Sequence, residues 1–130
     1  MSKAILLLLL TMASQSAMAA WTEIDDNSDF TVYADFASIR KFNNKARMWS
    51  MYDYKRTPST DGVEFMSMKF QYEFDCQNNQ ARMLAFSLHS GSMGEGAVLY
   101  SDSKVGKWEA AIPGSVNETR WKVICGNSNQ

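Results

Sequence analysis

Phe65-Met66-Ser67-Met68-Lys69-Phe70-Gln71-Tyr72-Glu73-Phe74-Asp75-Cys76 decides the fold. Met66, Met68, Phe70, Tyr72, Phe74 and Cys76 fall at alternate positions. Ser67, Lys69, Gln71, Glu73 and Asp75 fill the positions between. Side chains of a strand alternate between its two faces, so this pattern reads as a β-strand with one apolar and one polar face. On that reading Cys76 points into the core, and Glu73 and Asp75 share a solvated face.

Working downstream, Gln77-Asn78-Asn79-Gln80 turns the chain into a second strand, Ala81 to His89. A slip of one residue would move every side chain of that strand to the other face. An even-numbered loop sets Ala81, Met83 and Ala85 beside the aromatic stripe. An odd-numbered loop sets Leu84, Phe86 and Leu88 beside Phe74, Tyr72 and Phe70. The odd loop gives one apolar and one polar face, and is the register expected. Gly96–Asp102 and Trp108–Ile112 read as further strands, the last stopped by Pro113-Gly114. Ser115-Val116-Asn117-Glu118 matches a capping box. It predicts a helix over Val116–Cys125, with Val116, Trp121, Ile124 and Cys125 inward and Gly126 at the C′ position.

Upstream, Trp21–Ile24 and Phe30–Ala34 are short extended segments joined by the turn-rich Asp25–Asp29. Asp35 is placed to cap one helical turn through Ile39. Asn43-Asn44 marks a turn, Ala46–Lys55 a long strand, and Thr57–Gly62 a loop. The predicted architecture is α+β and mainly β: about six antiparallel strands in one sheet and a C-terminal helix.

Lys3, the apolar run Ala4–Leu10 and the small-x-small sequence Ala17-Met18-Ala19 form a secretory signal peptide. The run is short for a membrane-spanning helix. Cleavage after Ala19 leaves residues 20–130 as one domain beginning Ala20-Trp21, with no membrane anchor after cleavage. The expected location is the periplasm or the exterior. An oxidising destination makes Cys76–Cys125 the expected disulfide, since these are the only two cysteines. It clips the predicted helix to the strand ending at Cys76. Closing a loop of 49 positions contributes about 4 kcal/mol in the chain-entropy treatment.

Composition excludes several classes. The chain has 130 residues, 13 Lys+Arg, 14 Asp+Glu and a formal net charge of −1. Phosphate binding needs a basic excess, so no nucleic-acid partner is expected. One His and two Cys supply neither a zinc site nor a dense disulfide scaffold. No phosphate loop or Gly-x-Ser-x-Gly motif occurs. His89-Ser90-Gly91-Ser92 holds a His beside two serines, but adjacent strand residues point to opposite faces, so it makes poor nucleophile–base chemistry. The mature chain's methionines could serve a soft metal, yet Met66 and Met68 already lie on the core face as flexible filling. No catalytic, cofactor or metal residue is assigned. Asn117-Glu118-Thr119 matches a glycosylation sequon but falls inside the predicted helix.

The aromatic residues point elsewhere. Tyr52 and Tyr54 share a strand face with Met48, and Trp49 and Met51 share the other. A single sheet with one solvated side leaves some of these exposed, as a binding or homodimer surface. The loop Ser90–Gly96 carries three glycines and a protruding Met93. Tyr52, Tyr54 and Met93 are therefore the candidate protein-binding residues.

The ordered landmarks Trp21, Tyr33-Ala34-Asp35, Ser38-Ile39, Arg47-Met48-Trp49, Glu73-Phe74-Asp75-Cys76, Trp108, Pro113-Gly114-Ser115 and Cys125 resemble the surface-adhesin protein E family of Gram-negative bacteria. The resemblance spans essentially the whole mature chain. It implies a sheet of about six strands with a C-terminal helix, and an adhesin role toward host extracellular-matrix or plasma proteins. The namesake of the family is displayed as a lipoprotein, and this chain lacks the lipid-accepting Cys. The competing expectation is a periplasmic module that binds or inhibits a bacterial envelope protein.

Overall fold

A computed structural model describes residues 20–126. The predicted signal peptide, residues 1–19, lies outside the described residues. The described chain forms β1 (Trp21–Asp26), β2 (Phe30–Phe42), β3 (Lys45–Tyr54), β4 (Ser59–Thr60), β5 (Val63–Glu64), β6 (Ser67–Asp75), β7 (Gln80–His89), β8 (Val98–Asp102), β9 (Glu109–Ala110) and α1 (Val116–Cys125). Seven strands make one antiparallel sheet in the order β1-β2-β3-β6-β7-β8, and β9 also pairs with β7. The mainly-β architecture, the C-terminal helix and the Cys76–Cys125 bridge are as expected, the last with a Cα–Cα distance of 5.4 Å.

The helix begins where its capping box places it. The Ser115 side chain accepts from the Glu118 N–H, and Glu118 Oε1 accepts in turn from the Gly114 N–H. Gly126 departs from expectation. It takes a right-handed helical conformation rather than the left-handed one, and its N–H returns to the Lys122 carbonyl. The Trp121 indole N–H donates to the Asp75 carbonyl at 3.2 Å, beside the disulfide. Two anchors therefore hold the helix across one end of the sheet. Beneath it lie Ala34, Ala46, Met48, Phe74 and Ala81, packed with Ile124 and Cys125. Small residues on β2, β3 and β7 let the helix approach closely.

Several local expectations are corrected. Asp35 caps no helical turn. β2 runs through to Phe42, and its pairing with β3 jumps between Asp35 and Arg40. This bulge is held by side chains: Asp35 Oδ1 accepts from the Ala37 N–H, and Ser38 Oγ accepts from the Trp49 N–H at 2.9 Å. The β6–β7 hairpin does not take the odd register. Asp75 pairs with Gln80 and Phe74 with Ala81, which is the even loop. A bulge at Leu84 then shifts the pairing, so that Phe86 faces Phe70 and Leu88 faces Met68. The sheet thus puts small Ala81 under the helix and large Phe86 beyond it.

The Thr57–Gly62 loop holds β4 and the turn of the β4–β5 hairpin, which runs on to Glu64 and whose Asp61-Gly62 turn has φ of 51° and 77°. Two left-handed turn residues match the twist of a tight hairpin. The strand expected over Trp108–Ile112 shrinks to Glu109–Ala110, paired with the start of β7.

Candidate protein-binding surface

The two faces of the sheet differ in chemistry. On the helix side, aromatic rings run in succession from Phe30 and Tyr54 through Tyr52 and Phe70 to Tyr72 and Phe74. Arg120 reaches from α1 over this row, with its guanidinium 4.3 Å from the Tyr72 ring centroid and 4.8 Å from Phe70. The expectation of inward Trp121, Ile124 and Cys125 missed Arg120, which is 2% exposed. Its Nη2 donates to Asn117 Oδ1, while Nε and Nη1 have no hydrogen-bond partner. The faces of Tyr52, Phe70 and Tyr72 surround the cation, and Tyr52 adds a side-chain hydrogen bond to it.

Among the described residues the opposite face carries no α-helix, only a short 3-10 turn at Ser92–Gly94 near one end. Reading across the strands, Trp21 pairs with Asp35, Asp35 with Trp49, Trp49 with Gln71, and Gln71 with Ala85. The adjacent row is Tyr33, Met51, Lys69, Ser87 and Ser101. A third row is Arg47, Glu73 and Arg82. Glu73 was expected on a solvated face, yet it is 1% exposed. Arg47 Nε donates to Oε2 at 3.0 Å, and Arg82 Nε and Nη2 donate to Oε1 at 2.9 and 2.6 Å. Phe42 and Trp108 cover the outer sides of the two guanidiniums. Burial alone would raise the Glu73 pKa. The hydrogen bonds and charges of both arginines outweigh it and hold the carboxyl below its ordinary value.

The loop after β7 folds back over the end of this open face, on β3, β6 and β7. The Met93 N–H donates to Asp53 Oδ1, the Gly94 N–H to Ser67 Oγ, and Ser67 Oγ to the Gly91 carbonyl. Met93 does not protrude. It is half-buried, and its φ of 56° is stabilised by that bond to Asp53.

The three candidate residues therefore separate. Met93 belongs to the open-face side. Tyr52 and Tyr54 lie half-buried on the helix side. Burial raises both phenol pKa values. Tyr54 reaches about 12, and the Arg120 charge partly offsets the rise at Tyr52.

A shallow groove of about 370 Å³ crosses the open face, lined by Trp21, Asp35, Trp49, Lys69, Ser87 and His89. His89 Nε2 lies 2.7 Å from Ser87 Oγ, two residues away on the same strand face. Spacing of i and i+2 on a strand was the signal for this pair, and attention to neighbouring Ser90 and Ser92 missed it. Burial, and then the Lys69 charge, lower the His89 pKa. Nδ1 has no partner, so no acceptor stabilises an imidazolium as in a nucleophile–base–acid relay. Among the described residues no group of three or more His, Cys, Asp or Glu could hold a metal ion. None of their helices is long and apolar enough to cross a membrane.

A seven-stranded antiparallel sheet, clamped by a disulfide to a helix across one end of one face, defines a small mainly-β exported-domain fold. The surface-adhesin protein E profile matches residues 21–126, and the chain belongs to that family, whose members are exported surface proteins. Crystal form II of Haemophilus influenzae protein E superposes with a TM-score of 0.62 at 15% identity, over 82% of this chain and 94% of that one. Protein E from non-typeable Haemophilus influenzae gives 0.63 at 13% identity, over 88% and 81%. These likenesses establish the shared fold. No curated protein sequence matches the chain.

Proposed function

We propose that the protein is an exported, non-enzymatic, adhesin-like binding protein that contacts host extracellular-matrix or plasma proteins. Family membership carries this reading. The open face supports it, because hydrogen-bonded strands, from edge strand β1 with Trp21 to interior β3 with Trp49, hold its half-buried indoles, ions and hydroxyls on a rigid frame. Removal of residues 1–19 is part of the proposal, and the intact mass of the exported chain should begin at Ala20. Met93 contributes from the loop on the open face, and Tyr52 and Tyr54 from the helix side.

The test is saturable capture of a purified matrix or plasma protein by the exported chain, alongside antibody access on intact cells. Binding with surface access supports the reading. Antigen reached only after outer-membrane disruption, with a bacterial envelope protein captured, rejects it.

A second binding mode rests on β8. Val98, Leu99 and Tyr100 are 59%, 40% and 51% exposed on this edge strand. Exposed apolar edges pair readily with another strand, so edge-to-edge homodimerisation is the self-association this surface supports. Sedimentation of the wild type against Leu99→Lys tests it, and a concentration-independent monomer in both rejects it.

A further inference from the structure

We infer that the groove between Trp21 and Trp49 is a saccharide subsite for a neutral pyranose unit. The inference rests on the reading of the open face as a contact surface and names the chemistry it recognises. Trp21 and Trp49 flank Asp35 as successive cross-strand neighbours, so their backbones lie about 10 Å apart, two strand spacings. No indole–indole contact closes that gap among the described residues.

The groove's volume of about 370 Å³ lies in the lower part of the roughly 300–1,000 Å³ range of small-ligand pockets. Its polar groups keep part of their hydrogen-bonding capacity. Asp35 uses Oδ1 on the Ala37 N–H, which orients the carboxylate and leaves Oδ2 for a ligand. Lys69 makes no ion pair among the described residues. Ser87 Oγ is held by His89, whose ring is 5% exposed with an unpartnered Nδ1.

Flat apolar walls with donors and acceptors at the margin complement a sugar ring, which has an apolar C–H face and a rim of hydroxyls. A β-strand peptide is a poorer occupant. The groove floor is formed by β2, β3, β6 and β7, each paired on both sides, and the free edge near it is the outer side of β1, so a strand added there would lie beyond Trp21 and off the floor. An anion would meet the Asp35 carboxylate.

The test titrates the exported protein with methyl glycosides of glucose, galactose and N-acetylglucosamine and their short oligomers. It follows the tryptophan side-chain N–H resonances. Saturable shifts confined to Trp21 and Trp49 are expected, with millimolar affinity for single units. Asp35→Asn and Trp21→Ala should each weaken binding about tenfold or more while the thermal midpoint stays near wild type. Asp35→Asn keeps the question answerable should an indole variant fold poorly.

No saturable shift, shifts mapping elsewhere, or binding only of glucuronate would overturn the inference. A matrix-protein arm, run before and after enzymatic deglycosylation, separates the two readings. Capture that survives deglycosylation, with no sugar bound, leaves the adhesin reading standing and removes this one. Sugar binding without capture of any matrix or plasma protein removes only the adhesin reading.

Discussion

The Arg120 guanidinium stacks 4.3 Å from the centre of the Tyr72 ring, and this contact joins the C-terminal helix to the aromatic side of the sheet. Phe70 and Tyr52 complete the enclosure at 4.8 and 5.6 Å. No carboxylate pairs with this buried cation among the described residues. Desolvation is offset by ring faces and by hydrogen bonds to Asn117 and Tyr52.

Arg120→Ala should therefore cost about 3 kcal/mol, since it removes both packing and cation–ring contacts from a buried site. Arg120→Met keeps the stem volume without a buried charge and should lie within about 1 kcal/mol of wild type. Chemical denaturation of both variants decides the matter. Equal destabilisation by Ala and Met would mean that the charge itself holds the helix.

Glu73 makes acid stability testable. Its carboxyl pKa is lowered in the folded state from an ordinary 4.5, so the unfolded chain takes up the proton first. The stabilisation is present above about pH 4.5 and is lost as pH falls through the lower folded value. Glu73→Gln should flatten the loss of stability below pH 4.5. At neutral pH it should cost about 2 kcal/mol, because three charge-assisted bonds weaken while both arginines keep some access to water.

His89 acts in a different window. Its folded pKa is lowered from 6.5, so below that pH the unfolded chain binds the proton more readily. Stability should fall as pH drops from about 6.5, levelling off below the folded pKa. His89→Gln should abolish this slope between pH 5 and 7 while leaving the Glu73 transition in place. Urea midpoints across pH, compared between the two variants, separate the groups.

The strongest local signals proved sound. Alternation in β6 and the capping box of α1 depend on neighbours in sequence, and both elements fall where those neighbours place them. Leu84 shows where such reading ends. Residues Ala81–Leu88 contain apolar side chains at both parities, so composition accommodates either register. The sheet uses one at Ala81 and the other at Phe86. Asp61-Gly62 was an available hairpin signal within what reads as a loop. Alternation placed Glu73 on a solvated face and the inward positions read for the helix left Arg120 out, whereas the partners of both come from distant strands. The groove was hidden for the same reason. Trp21, Asp35 and Trp49 become neighbours only when the registers of three strands are known.

Loss of the Cys76–Cys125 bridge should release the helix before it melts the sheet. The helix buries Arg120, Ile124 and Cys125, and one of these is the bridge residue itself. Reduction, or paired Ser substitution, should cost about 4 kcal/mol for a closed loop of 49 positions. Amide exchange should accelerate across Val116–Cys125 while β3 and β6 stay protected. Uniform acceleration through the sheet would show instead that helix and sheet unfold as one unit.

Two glycines with similar backbone angles should respond unequally to substitution. Gly96 has φ of 78° and Gly114 has φ of 81°, both in the left-handed region. An alanine at either carries a strain of about 1 kcal/mol. At Gly114 a Cβ would meet nothing within 4 Å, so that strain is the whole effect. At Gly96 the Cβ would collide with Ser90 Oγ and come within 2.9 Å of the Gly91 backbone nitrogen. Ser90 Oγ accepts from the Ala97 N–H and cannot withdraw without breaking that bond. Gly96→Ala should thus cost at least twice as much as Gly114→Ala by thermal denaturation. It should also perturb the amide resonances of Met93 and Gly94, which tie the loop to Asp53 and Ser67 on the open face. Equal costs, with those resonances unmoved, would show that the loop yields without disturbing the sheet.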